Sequence, residues 1–153
     1  MPEPRRLDLP LLPSGQGERF YLERFMGAFG EDWNGTALFE APTGHLLSVS
    51  PLLFTDHKTG NTKIGKRERS PYLLYVAETI KNPAEIRLDR ESAGDPSLYL
   101  LGWYLIERKE IAILVVFKDR VRVWEGWSGY QTRNMAYLAS KRVYPLIYQD
   151  HKR

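Results

Sequence analysis

The chain has 153 residues and no cysteine, so it has the size of one domain and contains no disulfide, thiolate metal site or cysteine nucleophile. Hydrophobic residues make up 42% and charged residues 27%, which is typical of a globular protein rather than a disordered chain or a coiled coil. The longest purely apolar run, Ile111–Phe117, is much shorter than the roughly 20 residues that cross a bilayer. We therefore expect a compact, soluble domain that does not span a membrane.

The net charge of +3 is unevenly distributed along the chain. Residues 1–40 carry a net charge of −3, whereas residues 57–69 carry +4. Two further basic clusters follow, at residues 118–122 and 141–153. If the three basic clusters meet on one surface, they form a face that suits a phosphate-rich ligand. Scattered solubilising charge is the alternative.

The N-terminal part of the chain predicts an arm followed by a helix. Residues 1–17 hold four of the ten prolines and are predicted to form an arm or linker before a domain that spans 18–153. From Glu18 onward, apolar residues recur at helical spacing as far as Phe29. Gly30 suits the end of this helix.

The middle of the chain predicts a short strand and a second helix. Residues 31–44 have the composition of a loop, and residues 45–54 offer an apolar stretch that is typical of a strand or turn. Ser70 is a favourable N-cap, and Pro71 takes the first helical position, where its missing N–H costs nothing. Apolar residues at helical spacing then predict a helix that ends at Asn82, before a proline.

After this helix the period of the apolar residues changes from helical to alternating, which predicts β-strands. The strand-like runs are Glu85–Glu91, Tyr99–Glu107, Ile111–Phe117 and Arg120–Glu125, followed by a short helix over Thr132–Arg142 and an edge strand over Pro145–Tyr148. Short connections favour antiparallel pairing. The sequence therefore predicts an α+β fold in which N-terminal helices pack on a four- to five-stranded antiparallel sheet.

One face of this sheet is predicted to bind nucleic acid. Alternation directs the aliphatic residues Ile86, Leu88, Val121 and Val123 toward the helices. The opposite face then carries Arg87, Asp89, Arg122 and Trp124. Guanidinium groups bind phosphate and an indole stacks on a base, so this face suits RNA. An ordinary solvated face with one exposed tryptophan is the alternative.

Two blocks of the sequence resemble a known family. The first block contains Leu53-Phe54, a basic loop with Gly60, Lys63 and Lys66, then Arg69, and finally Pro83-Ala84-Glu85-Ile86. The second contains Gly126-Trp127-Ser128-Gly129, Thr132, Tyr137-Leu138, Arg142 and Leu146-Ile147-Tyr148. In order and spacing, the chain resembles the phage branch of the Barnase–EndoU–Colicin–RelE-like (BECR) nuclease superfamily, as in the C-terminal domain of phage Mu F-like head morphogenesis proteins. Tyr144 departs from this pattern, because a glycine is expected there.

The resemblance implies a barnase-like fold and, by analogy with the superfamily, RNA cleavage without a metal or another cofactor. Such cleavage needs a base for the ribose 2′-OH, an acid for the departing 5′-oxygen and cations that hold the charge of the phosphorane. The expected partners are an RNA substrate, an inhibitor or immunity protein, and a larger phage head protein. The expected location is the cytoplasm of a bacterial host or the virion.

The candidate catalytic residues are His45, Lys66, Arg69, Thr132 and Arg142. Lys66 and Arg69 precede the predicted helix, whose free N–H groups add to an anion site. Arg69 and Arg142 also match positions of the family. An imidazole such as that of His45 suits acid–base chemistry, while Thr132 either contacts phosphate or caps the next helix. The candidate RNA-binding residues are Lys63, Arg67, Arg87, Arg122, Trp124 and Trp127.

Other interpretations stay open at the level of sequence. A metal-dependent nuclease would use Asp89 together with Glu107 and Lys109. A binding or head-assembly module would hold nucleic acid without turnover, and a nucleotide transferase would hold a pyrophosphate in a basic cleft. His57 is a second candidate imidazole, and Glu85 also fits an ion pair with a basic neighbour.

Overall fold

The computed structural model describes residues 3–150, apart from the side chain of Arg67. Within this range the chain forms three α-helices and one seven-stranded sheet. The helices are α1 (Glu18–Gly27), α2 (Leu73–Lys81) and α3 (Met135–Lys141), and the strands are β1 (Ala37–Glu40), β2 (Leu46–Val49), β3 (Glu85–Asp89), β4 (Ser97–Ile106), β5 (Lys109–Asp119), β6 (Trp124–Thr132) and β7 (Leu146–Gln149). None of the described helices has the length and apolar character of a membrane span.

The sheet is mixed and has the strand order β1-β2-β6-β5-β4-β3-β7. Five neighbouring pairs are antiparallel, and β2 runs parallel to β6 over two residue pairs. The predicted α+β class is therefore confirmed, but the four- to five-stranded antiparallel sheet is wrong in strand number and in the direction of one pair. The additional strand β1 lies within residues 31–44, where the sequence predicts a loop. It forms a hairpin with β2, closed by the Ala41 N–H donating to the His45 carbonyl at 2.9 Å.

The predicted helices are confirmed, but two of their caps differ. α2 follows a 3-10 turn over Ser70–Tyr72, so the side chain of Ser70 does not cap the α-helix. The N-cap of α3 is Asn134, whose side chain accepts the Tyr137 N–H at 3.0 Å. Thr132 lies at the end of β6, where its hydroxyl accepts the Asn134 N–H at 3.0 Å. The alternative role of Thr132 as the N-cap of this helix is therefore wrong.

The predicted strand Arg120–Glu125 is wrong, because the turn between β5 and β6 lies inside it. The Arg120 N–H donates to the carbonyl of Val123 at 2.9 Å, which closes the turn. Val121 has a φ of 75° and is 96% exposed, so it does not face the helices. The strand itself starts at Trp124, which is buried in the main core rather than placed on the outer face.

Helices α1 and α2 cover one face of the sheet and enclose the main hydrophobic core with it. Its fully buried large side chains include Phe25, Phe54, Leu73, Ile80, Ile86, Tyr104 and Phe117. These residues come from both helices, the 3-10 segment after β2 and three central strands. The core therefore fixes the sheet rigidly from one side.

The proline-rich arm packs on the domain. The backbone N–H of Arg5 donates to the carbonyl of Trp103 at 2.9 Å, just beyond the part of β4 that pairs with β3. Farther along the arm, the hydroxyl of Tyr75 donates to the carbonyl of Leu9 at 2.9 Å, and Leu12 is buried. The described part of the arm thus contributes to the main core although it forms no helix or extended strand.

The opposite face of the sheet carries two smaller apolar clusters. One is formed by Leu138 of α3 with Leu101, Trp103 and Ala112. The other contains Tyr99, Leu114 and Val116, against which Trp127, Tyr130 and Tyr144 pack. The rings of this second cluster are partly open to solvent. It is the part of the fold that the basic segments approach.

Candidate active site

The register of the sheet arranges the second cluster as a row across the strands. Ser128 of β6 pairs with Val116 of β5, Val116 pairs with Tyr99 of β4, and Tyr99 pairs with Arg87 of β3. The register of β5 and β6 shifts beside this row, so that Trp127 is an additional residue in β6. A bulge of this kind re-aims a side chain, and the Trp127 ring packs on the same cluster. The indole and the Ser128 hydroxyl therefore lie side by side.

The basic loop of residues 55–69 reaches this row along the edge of β6. The Nζ of Lys63 donates to the hydroxyl of Ser128 at 3.3 Å and to the carbonyl of Trp127 at 3.4 Å. β2 pairs only with the first two residues of β6, which leaves this edge accessible to the loop. The structure thus places a cation directly beside a hydroxyl on an open sheet face.

His57 stacks flat on Trp127. The two ring centroids are 3.6 Å apart and the planes differ by 3°. The Nε2 of His57 lies 3.0 Å from the carbonyl of Trp127, which can only accept a hydrogen bond. This contact assigns the proton of the neutral ring to Nε2 and leaves Nδ1 with the lone pair. Nδ1 is therefore the nitrogen that can accept a proton.

The second and third basic clusters each bring one lysine to the same surface. The Nζ of Lys118 lies 5.8 Å from the ring centroid of Trp127 and donates to the hydroxyl of Ser97 at 2.8 Å. The Nζ of Lys141, in the last turn of α3, lies 5.6 Å from the ring centroid of Tyr99. These distances are within the range of cation–π contacts. The two lysines thus border the second apolar cluster from different elements.

Among the residues that the structure describes, none of these three lysines takes part in an ion pair. One lysine from each basic segment therefore offers its charge to a single surface, which is one of the two possibilities that the charge pattern leaves open. We call this surface the lysine–aromatic face and define it by Lys63, Lys118, Lys141, Tyr99, Trp127, Tyr130 and Tyr144.

The environment shifts the pKa of two groups on or beside this face. Burial lowers the pKa of the Lys63 ammonium, and the charges of Arg69 and Lys66 lower it further, while Asp56 acts in the opposite direction. Burial also raises the pKa of the Tyr130 hydroxyl, as does its contact with the hydroxyl of Tyr137. Lys63 is therefore a better proton donor than an ordinary surface lysine, whereas Tyr130 stays protonated.

Arg69 lies beneath the lysine–aromatic face and is only 6% exposed. Its guanidinium donates to the carbonyl of Gly129 at 3.4 Å and to the carbonyl of Lys66 at 3.2 Å, and it lies 5.7 Å from the ring centroid of Tyr130. These contacts fasten the basic loop to β6. The predicted catalytic role of Arg69 stays a prediction, and the geometry gives this side chain a positioning function.

Arg142 and Arg87 both bind the buried carboxylate of Glu85. The Arg142 guanidinium donates to both carboxylate oxygens, at 2.7 and 3.0 Å, and the Nε of Arg87 donates at 3.0 Å. Burial alone would raise the pKa of Glu85, but the hydrogen bonds from Arg142 and Arg87 outweigh it, so the pKa is lowered. The interpretation of Glu85 as an ion-pair partner is confirmed. Contacts of the two arginines with RNA stay predictions.

His45 lies apart from the lysine–aromatic face. Its Nδ1 is 2.6 Å from the Thr43 hydroxyl, and its ring meets Trp124 edge-on with 5.4 Å between centroids. Burial lowers the pKa of His45, and the charge of Arg90 lowers it further. Because Trp124 belongs to the main core, His45 lies at the side of the sheet opposite Trp127. Its catalytic role stays a prediction.

The other predicted site residues lie outside the lysine–aromatic face. Lys66 is exposed, and its Nζ lies 3.6 Å from the carboxylate of Asp56. Arg122 is exposed in the turn between β5 and β6, so the predicted face that it shares with Trp124 and Arg87 does not exist. The side chain of Arg67 lies outside the described part of the structure.

Several residues of the lysine–aromatic face, together with Ser128 beside it, were not among the sequence-based candidates. They are Lys118, Lys141, Tyr99, Ser128, Tyr130 and Tyr144. The charge clusters contain both lysines, and the second family-like block contains Ser128, so weak signals for them exist in the sequence. Their common location depends on the pairing of β4, β5 and β6, which the sequence does not encode locally.

The metal-dependent alternative built on Asp89 and Glu107 is wrong. Asp89 pairs with Ser97 at the first residue of β4, whereas Glu107 follows the last residue of the same strand. Ten extended residues span about 33 Å, so the two carboxylates cannot share an ion. Among the described residues, no three acidic or histidine side chains are grouped as metal ligands.

Comparison with known proteins identifies one family. The sequence model of the family described as phage-Barnase-EndoU-ColicinE5/D-RelE like nuclease 2 matches residues 24–149. The match starts within the last turn of α1 and includes the basic loop and all seven strands. No curated protein and no solved structure matches the chain.

Proposed function

The chain belongs to the phage-Barnase-EndoU-ColicinE5/D-RelE like nuclease 2 family, and from this premise we propose that it is a metal-independent endoribonuclease. The observation that supports this proposal most directly is the meeting of Lys63, Lys118 and Lys141 around the rings of one sheet face, beside His57. Positive charge without carboxylate partners on an open face suits a phosphodiester.

In the proposed reaction, the 2′-oxygen of the ribose attacks the adjacent phosphorus while the bond from phosphorus to the 5′-oxygen breaks. The products are a 2′,3′-cyclic phosphate and a 5′-hydroxyl. Nδ1 of His57 removes the proton of the 2′-OH, because the hydrogen bond from Nε2 to the Trp127 carbonyl leaves the lone pair on Nδ1. Lys63 donates a proton to the departing 5′-oxygen, a role that its lowered pKa favours.

The charge of the phosphorane needs donors that are already in place. Lys63 and the hydroxyl of Ser128 are held within 3.3 Å of each other and can contact the same phosphate. Arg69 acts as a positioning residue, because it ties the loop that carries Lys63 to β6. Lys118 contributes a further positive charge beside Trp127.

The decisive experiment incubates the protein with RNA and DNA oligonucleotides of matched sequence in EDTA. We expect RNA to be cut to fragments with 2′,3′-cyclic phosphate ends and DNA to stay intact, because only RNA supplies the attacking hydroxyl. RNA that is bound but never cut would contradict the proposal and favour a binding module. Cleavage that EDTA abolishes and Mg²⁺ restores would contradict metal independence.

A further inference from the structure

The lysine–aromatic face has the dimensions of a path for several nucleotides. Lys63 lies against β6, and Lys141 lies over Tyr99 of β4. Two strand spacings separate β6 from β4, or about 10 Å, whereas a stacked nucleic-acid strand rises about 3.4 Å per nucleotide. A single phosphate therefore cannot occupy both ends of the face.

Partly exposed rings lie beside this path. Tyr130 and Tyr137 touch through their hydroxyls, and Lys141 lies 5.6 Å from the ring centroid of Tyr137. Tyr144 stacks on Tyr99 with 5.3 Å between ring centroids. Cations that follow a backbone and rings that receive bases are the combination found in grooves for single strands. In a duplex the bases are already stacked and paired, so such rings cannot reach them.

Charge also selects the direction of the path. Arg120 lies near Trp127, but its guanidinium is 2.7 Å from the carboxylate of Asp95 and 3.7 Å from that of Glu125. The positive charge of Arg120, at the border of the face beside the turn between β5 and β6, is therefore neutralised. Toward α3, Lys141 has no carboxylate partner among the described residues. A phosphate chain that starts at Lys63 is thus drawn across the sheet toward α3.

We infer that the lysine–aromatic face binds an unpaired RNA segment of at least three nucleotides, with the scissile phosphate at Lys63 and a second phosphate at Lys141. This inference rests on the proposed function and adds the form of the substrate to it. The strand crosses β6, β5 and β4 at right angles. Its bases contact the rings of Trp127, Tyr130, Tyr137 and Tyr144.

The first test compares kcat/KM for a dinucleotide and a hexanucleotide in the variant Lys141→Gln. We expect the hexanucleotide to lose about fivefold more activity than the dinucleotide, since only the longer substrate reaches this lysine. Arg24→Gln is the matched control, because Arg24 also lies in the last turn of a helix and over a ring. It faces away from the path and should change neither rate. Equal losses on both substrates in Lys141→Gln would overturn the inference.

The second test measures binding without turnover, using a hexanucleotide with 2′-O-methyl riboses. We expect the single strand to bind at least about tenfold more tightly than its duplex, and Lys141→Gln to reduce the slope of log affinity against log salt by about 0.7. Equal affinity for the single strand and the duplex would overturn the inference. Cleavage of unmodified RNA would in that case still support the proposed nuclease function. Tight binding of the single strand without cleavage of unmodified RNA would support the path and contradict the proposed function.

Discussion

The ammonium of Lys63 lies 3.3 Å from the hydroxyl of Ser128, although the two residues are 65 positions apart in the sequence. Lys63 belongs to a loop and Ser128 to a central part of the sheet. Their contact therefore forms only when the loop has docked on β6, and Arg69 secures that docking. The candidate site is thus assembled by tertiary structure, and substitutions at the loop and at the strand should affect it separately.

Lys63→Ala should lower kcat/KM for RNA about 100-fold or more, because it removes both the proton donor and a charge beside the phosphate. Lys58→Ala is the control, since Lys58 is an exposed lysine of the same loop. It should change the rate by less than about twofold. Initial rates on one RNA oligonucleotide measure both. Similar losses in the two variants would show that only the net charge of the loop matters.

The alkaline limb of the pH–rate profile should follow the protonation of Lys63. The protonated ammonium is the active form, so activity falls as the pH rises through its lowered pKa. Lys66→Gln removes a neighbouring positive charge and should move this limb to higher pH. Asp56→Asn removes a negative charge and should move it to lower pH. A limb that both variants move in one direction, or leave in place, would exclude Lys63 as the acid.

His57→Gln should reduce kcat by about 100-fold or more, because glutamine cannot accept the proton of the 2′-OH. His45→Gln separates the two candidate imidazoles, since His45 lies across the sheet and should change the rate by less than about threefold. A larger loss of rate in His45→Gln than in His57→Gln would assign the catalytic role to His45.

Arg142→Gln should destabilise the protein by about 2–4 kcal/mol near neutral pH, because Glu85 would lose a guanidinium that binds both of its oxygens. The pKa of Glu85 is lowered in the folded state, so its stabilising effect is present above the ordinary pKa of a glutamate and is lost as the pH falls through the folded-state value. The difference between the variant and the parent should therefore shrink in acid. Urea unfolding of the variant and the parent, near neutral pH and in acid, measures this difference in stability.

A control for this network is Arg19→Gln. Arg19 pairs with Glu23 on the exposed side of α1 at 3.0 Å. Such surface pairs contribute about 0.5 kcal/mol or less. If Arg142→Gln cost no more than this control, the buried network would not stabilise the fold.

The helices and the long strands could be predicted from local pattern, whereas the site could not. Helix α2 has a clear apolar stripe, and β4 and β5 are long runs in which apolar residues alternate or follow one another directly. The pattern of apolar residues therefore identifies all three elements. The run Arg120–Glu125 also alternates, yet the chain turns there, because the Asp119 carboxylate holds the Val121 N–H at 2.8 Å. Alternation alone does not distinguish a strand from such a turn.

The charge pattern was compatible with basic clusters that meet, but it could not identify the cations that face solvent. Arg69 and Arg142 match the family pattern and are nevertheless held by Gly129 and Glu85, while Lys141 faces solvent without matching anything. Which cation is buried depends on pairings between residues more than 50 positions apart. The parallel contact of β2 with β6 has the same non-local origin.

Gly129→Ala should disturb the candidate site from the core side of the sheet. The glycine faces the main core, and an added Cβ would lie 2.8 Å from a methyl carbon of Val76, closer than real side chains approach. Overpacking of this kind costs about 1–3 kcal/mol and should push β6 outward, so that kcat/KM falls together with stability. Gly27→Ala is the control, since nothing lies within 4 Å of its Cβ position in α1. It should stabilise the fold by about 0.5–1 kcal/mol.

The cause of the Gly129→Ala effect can be separated with Val76→Ala. Alone, this substitution leaves a cavity and should destabilise the fold by about 1–3 kcal/mol. In the double variant the new methyl group occupies the space that Val76 vacates. The loss of stability in the double variant should therefore be smaller than the sum of the losses in the two single variants. Urea unfolding of all four proteins measures this coupling, and RNA cleavage by the double variant should recover. Strictly additive losses would mean that Gly129 is required for its backbone rather than for its close contact with α2.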